Sequence, residues 1–241
     1  MKCVTDNLPR RILLTTLALL LVVAFFELTS VDMWLQQHFY SNGLGTWIID
    51  HDAQPWRTLL YTGIKKVFIV FSLALLLMVT LMHRRLPWVA ANRRELVVVL
   101  LTLVLLPLLV NFLKWYTDVP CPRDIEAFGG LAPYVTLFEH YPSSFHHDAS
   151  LRCYPAGHAS GGFALMSLYF LFKQRRHRWL GLGVGLATGW VTGLYKMAIG
   201  DHFLSHTVVS MLLAWLVACA VAHLVLQRRV ISVEVEESSA S

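Results

Sequence analysis

Charge is what this sequence has least of. Of its 241 residues, 15% are charged and 56% are hydrophobic, a balance too apolar for an ordinary soluble domain of this length. Acidic residues are scarcest in the apolar runs. Glu27 is the one acid clearly inside such a run, which gives little support to a proton relay through a bilayer. A cleavage site of small residues is also missing. Arg10 and Arg11 precede the first apolar run as they would in a signal peptide, but Glu27-Leu28-Thr29 follows without a break, so the run is expected to stay as an anchor. Zinc spacing is absent too: His140, His146, His147 and Asp148 share a loop but fit no standard structural pattern, and neither metal nor cofactor is expected.

What remains is hydrocarbon. Apolar runs long enough to cross a bilayer occur near 12–29, 60–82, 96–113, 155–172, 179–199 and 204–227, since about 20 helical residues span the core. The expected fold class is therefore all-α: a polytopic membrane protein with a six-transmembrane-helix bundle. Residues 1–229 form one domain, with 117–153 as an outer, periplasmic loop cap, and 230–241 form a disordered cytoplasmic tail. Pro107 is expected to kink the third span. Arg84, Arg85, Arg93 and Arg94 crowd one short connection, which marks it and both termini as cytoplasmic. The net charge of +5 is then mostly a topology signal, and no nucleic acid is needed to explain it.

Residues 30–59 mix Trp34, Trp47 and Trp56 with acids, as in a segment at headgroup level or in a packed loop. Gly181, Gly185, Gly189 and Gly193 recur every four residues, a stripe that lets a neighbouring helix approach closely and holds Lys196 rigidly. Cys121 and Cys153 share one loop. An oxidising compartment would join them as a disulfide, and a reducing one would leave two thiols.

Polar signals gather at the ends of three runs: Lys114 with Arg123, then Pro155-Ala156-Gly157-His158, then Lys196 with Asp201-His202 and His206. Pro followed by small residues begins a helix whose unpaired N–H groups attract an anion, and His158 falls in that first turn. Two imidazoles among cations suit phosphoryl transfer, which needs clamps for the oxygens, a nucleophile and an acid.

These residues resemble the type 2 phosphatidic acid phosphatase superfamily of six-helix membrane lipid phosphatases, in a divergent bacterial branch. Its signatures are Lys, six residues, Arg-Pro; Pro-Ser-Gly-His; and Ser-Arg, five residues, His, three residues, Asp. Lys114 is followed after six residues by Cys121-Pro122, with Arg123 displaced by two positions. Ala156 stands for Ser, Lys196 for Arg and His206 for Asp. The resemblance covers roughly 110 to 206.

It implies His202 as nucleophile, His158 as acid, and Lys114, Arg123, Lys196, Asp124 and the N–H groups of Ala156 and Gly157 as substrate contacts. His206 in place of the carboxylate leaves open what orients the nucleophile, with Asp201, Asp124 and Asp118 as candidates. The implied activity is metal-independent hydrolysis, through a phosphohistidine, of a lipid phosphate or diphosphate: undecaprenyl diphosphate, lipid A phosphate, phosphatidylglycerol phosphate or phosphatidic acid. The partners are the lipid substrate and the bilayer, and the place is the outer face of a bacterial inner membrane. A phosphotransferase to another lipid is the nearest alternative. A non-catalytic headgroup binder or transporter is the alternative of another class.

Overall fold

Leucine and valine in unbroken runs, with no buried partner for most of them, dictate where this chain can be stable. The computed structural model describes residues 7–41, 44–145 and 151–239, with side chains as far as Leu226. Helix α1 (Leu8–Leu28) begins at Asn7-Leu8-Pro9 and exposes Leu13, Leu17, Leu20 and Leu21 along its length. A helix that is apolar on its outward face and this long is built for hydrocarbon. Helix α2 (Val31–Gln37) and a two-residue antiparallel pair, Tyr40–Ser41 with Thr46–Trp47, follow. Helix α3 (Arg57–Met82) is α-helical from Ile64 to Leu77 with π-helical turns at both ends. A short α4 (Pro87–Ala91) leads into α5 (Arg93–Thr117), which carries Pro107 inside it without ending.

Beyond α5 the chain makes two short turns, Pro122–Asp124 and Glu126–Phe128. It returns as α6 (Gly157–Ala164), a 3₁₀ turn at Leu165–Ser167, α7 (Leu168–Leu171), α8 (Arg175–Ala198) and α9 (Leu204–Ser239). Four of these helices, α1, α3, α5 and α9, have the length and apolarity to cross a membrane. Six spans and an outer cap stay an expectation beyond these four, which are counted among the described residues. The run at 155–172 is helical through α6, the 3₁₀ turn and α7, and inside it the Ser167 hydroxyl bonds back to the Ala164 carbonyl (2.7 Å). The run at 179–199 does form the long helix α8, but its glycines, threonines and lysine dilute its apolar character. The backbone of α9 is helical through Ser239, and no Gly or Pro interrupts Val-Glu-Val-Glu-Glu.

The core lies between α5, α6 and α9, with Leu96, Leu106 and Val110 meeting Ala159, Phe163 and Ala214. Helix α8 joins it through the glycine stripe. A Cβ on Gly185 would stand 2.2 Å from the Met166 nitrogen, and one on Gly189 would enter the Phe163 ring. Packing of this closeness between helices is what small residues permit. On one end of this core the loops fold back together: Glu27 accepts the Leu137 N–H (2.9 Å), Thr117 donates to the Tyr154 carbonyl (2.6 Å), and Ile125, Phe128 and Phe203 bury one another. Cys121 and Cys153 are joined there as a disulfide, with Cα atoms 5.2 Å apart.

Candidate active site

Helix α8 must end sharply for the chain to reach α9, and Gly200 makes that turn at φ 78°. Its N–H donates to the Met197 carbonyl (3.1 Å), while the Asp201 N–H donates to Lys196 (2.8 Å), closing the helix in the way left-handed glycine caps do. The Trp47 ring lies directly over this glycine, 2.4 Å from where a Cβ would be. The first loop adds two polar caps. Gln36 donates to the Met197 carbonyl (2.9 Å), and the Asp32 carboxylate accepts the Ser205 N–H at the start of α9 (2.9 Å). Arg123 contributes its backbone N–H to the Gly200 carbonyl (3.0 Å).

His202 stands on this braced turn, and His206 one helical turn later. Both are buried, and their Nδ1 atoms are 3.4 Å apart. Burial holds the His202 pKa well below the ordinary imidazole value, and the nearby charges of Lys114, His206, Lys196 and His158 add to the effect. The ring is thus neutral near neutral pH, with a lone pair free for attack. Burial also raises Asp32 to about 6, against the hydrogen bonds it accepts from Ser205.

The start of α6 comes to the same place. Ser210 donates to the Ala156 carbonyl (3.0 Å), and the Ala156 N–H donates to the His206 carbonyl (3.1 Å). That bond corrects one expectation: the Ala156 amide is already committed to α9 and is not free to hold an anion. Gly157 and His158 open the helix, and the Lys114 ammonium lies against Gly157. Lys196 and Arg123 converge from the other side on Asp201, at 2.5 Å and 2.8 Å from its two oxygens.

Asp201 therefore spends its carboxylate on two cations. Asp124 accepts the Cys121 N–H (3.3 Å) and closes its own turn, and Asp118 accepts the Leu151 N–H (2.6 Å). Of the groups considered for orienting His202, the one at its ring is His206. Cys121, Asp124 and Cys153 form the only cluster of potential metal ligands among the described residues, and its sulfurs are tied up in the disulfide. His146, His147 and Asp148 lie outside the described residues.

The sequence model of the PAP2 superfamily matches residues 95–229. The chain belongs to the PAP2 superfamily. The match takes in all three polar segments around the site, and members of this superfamily are phosphatases acting on phosphate esters, often of lipids. No curated protein and no solved structure matches the chain.

Several residues at this PAP2 site escape a reading by spacing. Tyr61, at the start of α3, lies between two of the expected groups: its ring centre is 3.5 Å from the Lys196 ammonium and 4.5 Å from the His158 ring. In sequence it is one more aromatic at the head of an apolar run. Asp32, Gln36 and Trp47 lie in the first loop, where only the density of tryptophan hinted at packing.

Proposed function

We propose that this chain is a membrane phosphatase that removes a phosphate from a lipid, at the end of the bundle that carries His158 and His202. The observation that supports a lipid is a groove of about 670 Å³ that opens sideways between α3 and α5. Its walls are Ile69, Leu73, Leu103, Val104 and Leu108, and its polar end is Lys114, Gly157 and His158. A hydrocarbon chain fits the walls while the phosphate reaches the cations.

In the mechanism, His202 attacks phosphorus through Nε2. Of the two facing Nδ1 atoms, 3.4 Å apart, one must donate and the other accept, and in this mechanism neutral His206 takes the accepting role. His202 then donates from Nδ1 and keeps its lone pair on Nε2. His206 thereby takes the place of the carboxylate, as an acceptor without charge. Lys114, Lys196, Arg123 and the Gly157 N–H hold the phosphoryl oxygens. His158, whose pKa burial and then the Lys196 charge lower to about 4 in the free protein, takes up a proton alongside the bound phosphate's negative charge and gives it to the leaving oxygen. Water then releases phosphate from the phosphohistidine. The site faces away from the cytoplasm of a bacterial inner membrane, and the activity needs no metal.

The test is phosphate release from a panel of lipid phosphates by detergent-purified protein. His202→Ala and His158→Ala each lower it by about 10²-fold or more with the elution profile unchanged, and the wild type keeps its rate in a chelator. Full activity of His202→Ala would sink the assignment. Because His202 resists protonation, the acid limb of kcat/KM lies below pH 6.5. Label that appears on a second lipid and not as free phosphate would make the protein a transferase.

A further inference from the structure

Lys65 is not part of any family signature, yet it stands at the neck of the groove. Tyr61, Lys65, Phe68 and Ser72 share one face of α3 at helical spacing. Tyr61 touches His158 and Lys196, Phe68 lies against Gly161, and Lys65 is between them. Lys65 lines the groove together with Lys114, Asn111 and His158, and its charge reaches His158. Lys66 does not line the groove. A lysine on a membrane-length helix is costly without a partner, and among the described residues Lys65 forms no ion pair. Its position is one helical turn along α3 from Tyr61, on the face that meets His158 and Gly161 of α6.

We propose that Lys65 binds a second phosphate, the one that stays with the lipid, so that the substrate is a lipid diphosphate and not a monoester. This rests on the phosphatase reading above. His202 Nε2 forms a bond to the terminal phosphorus while the bond from that phosphorus to the bridging oxygen breaks. The bridging oxygen leaves with the electron pair, takes the His158 proton and remains on the lipid monophosphate, whose charge Lys65 faces. Water then attacks the phosphohistidine, the N–P bond breaks, orthophosphate departs and a proton returns to His158.

The experiment compares farnesyl diphosphate with farnesyl monophosphate as substrates of the full chain in detergent. Wild type is expected to favour the diphosphate in kcat/KM by about tenfold or more. Lys65→Gln loses most of that preference, with a much smaller fall on the monophosphate. Lys65→Arg retains the preference, and so does Lys66→Gln. Free pyrophosphate inhibits wild type more strongly than orthophosphate does, and Lys65→Gln erases the difference, which checks the contact independently of turnover. Equal losses on both substrates, or a wild type that prefers the monophosphate, would overturn the assignment of Lys65 while leaving the phosphatase reading intact. No release from any lipid phosphate would overturn both.

Discussion

The packed helices that bring the site's cations and imidazoles together and α3, one wall of the groove, are made in opposite ways. Of the apolar stretch in α5, whose last turn holds Lys114, 39% is buried within the protein, and in α9, which carries His206, 44%; in α3 the share is 11%. Helices α6 and α8 touch backbone to backbone through Gly162, Gly185 and Gly189, while α3 meets α6 chiefly through Phe68 at Gly161 and Tyr61 at His158. Catalysis needs atoms fixed within a fraction of an ångström, and close packing supplies that. On the proposed reading, a lipid entering from the side would need a wall with few commitments, and α3 is the helix with the smaller buried share.

The sharpest way to break the packed half is a pair of substitutions two residues apart on α8. Gly185→Leu puts a side chain where the Met166 backbone already is, and destabilises by about 3 kcal/mol or more or prevents folding. Gly183→Leu meets nothing within 4 Å and leaves the melting temperature near that of wild type. Equal effects would mean that α8 does not pack as described.

A smaller effect sits in helix α2, which braces the turn carrying His202. Asp32 has its carboxyl raised from 3.8 to about 6, so between those pH values the folded protein holds a proton that the unfolded chain has given up. Its contribution to stability falls as pH rises through that window, by about 3 kcal/mol in all. Asp32→Asn keeps an acceptor for Ser205 and removes the titration. Melting temperatures of the two proteins from pH 4 to 7 should diverge in that direction, and parallel curves would exclude it.

The smallest expected change probes the contact between the two halves. Tyr61→Leu removes the ring beside Lys196 and His158 and lowers kcat by about threefold to thirtyfold with less change in KM. Tyr61→Phe keeps the ring and restores the rate. A loss in KM alone would make Tyr61 a wall of the groove and nothing more.

Which residues gather was legible in the sequence. His158, His202, Lys114 and Lys196 stand at spacings that helix ends must preserve if side chains from separate helices are to meet, and such spacings survive in a linear string. Local helix geometry was not. Residues 155–172 read as one apolar run, but the helix there tightens to a 3₁₀ turn at Leu165–Ser167, and a hydroxyl bonding back to its own helix leaves no periodic trace. Roles were less legible than places. Asp201 beside His202 was one candidate for its partner, but Lys196 and Arg123 claim it, and such competition depends on distances between separate segments. Tyr61 and Asp32 left no mark because each acts through contacts far away in sequence.

The superfamily match starts at residue 95, but the Ser205 amide, the Met197 carbonyl and the face of Gly200 are all met by residues from before it. A fragment trimmed to the matched stretch would keep both imidazoles and lose the clasp around the turn that presents one of them. The leading third of this chain is thus a splint grown in one piece with the enzyme.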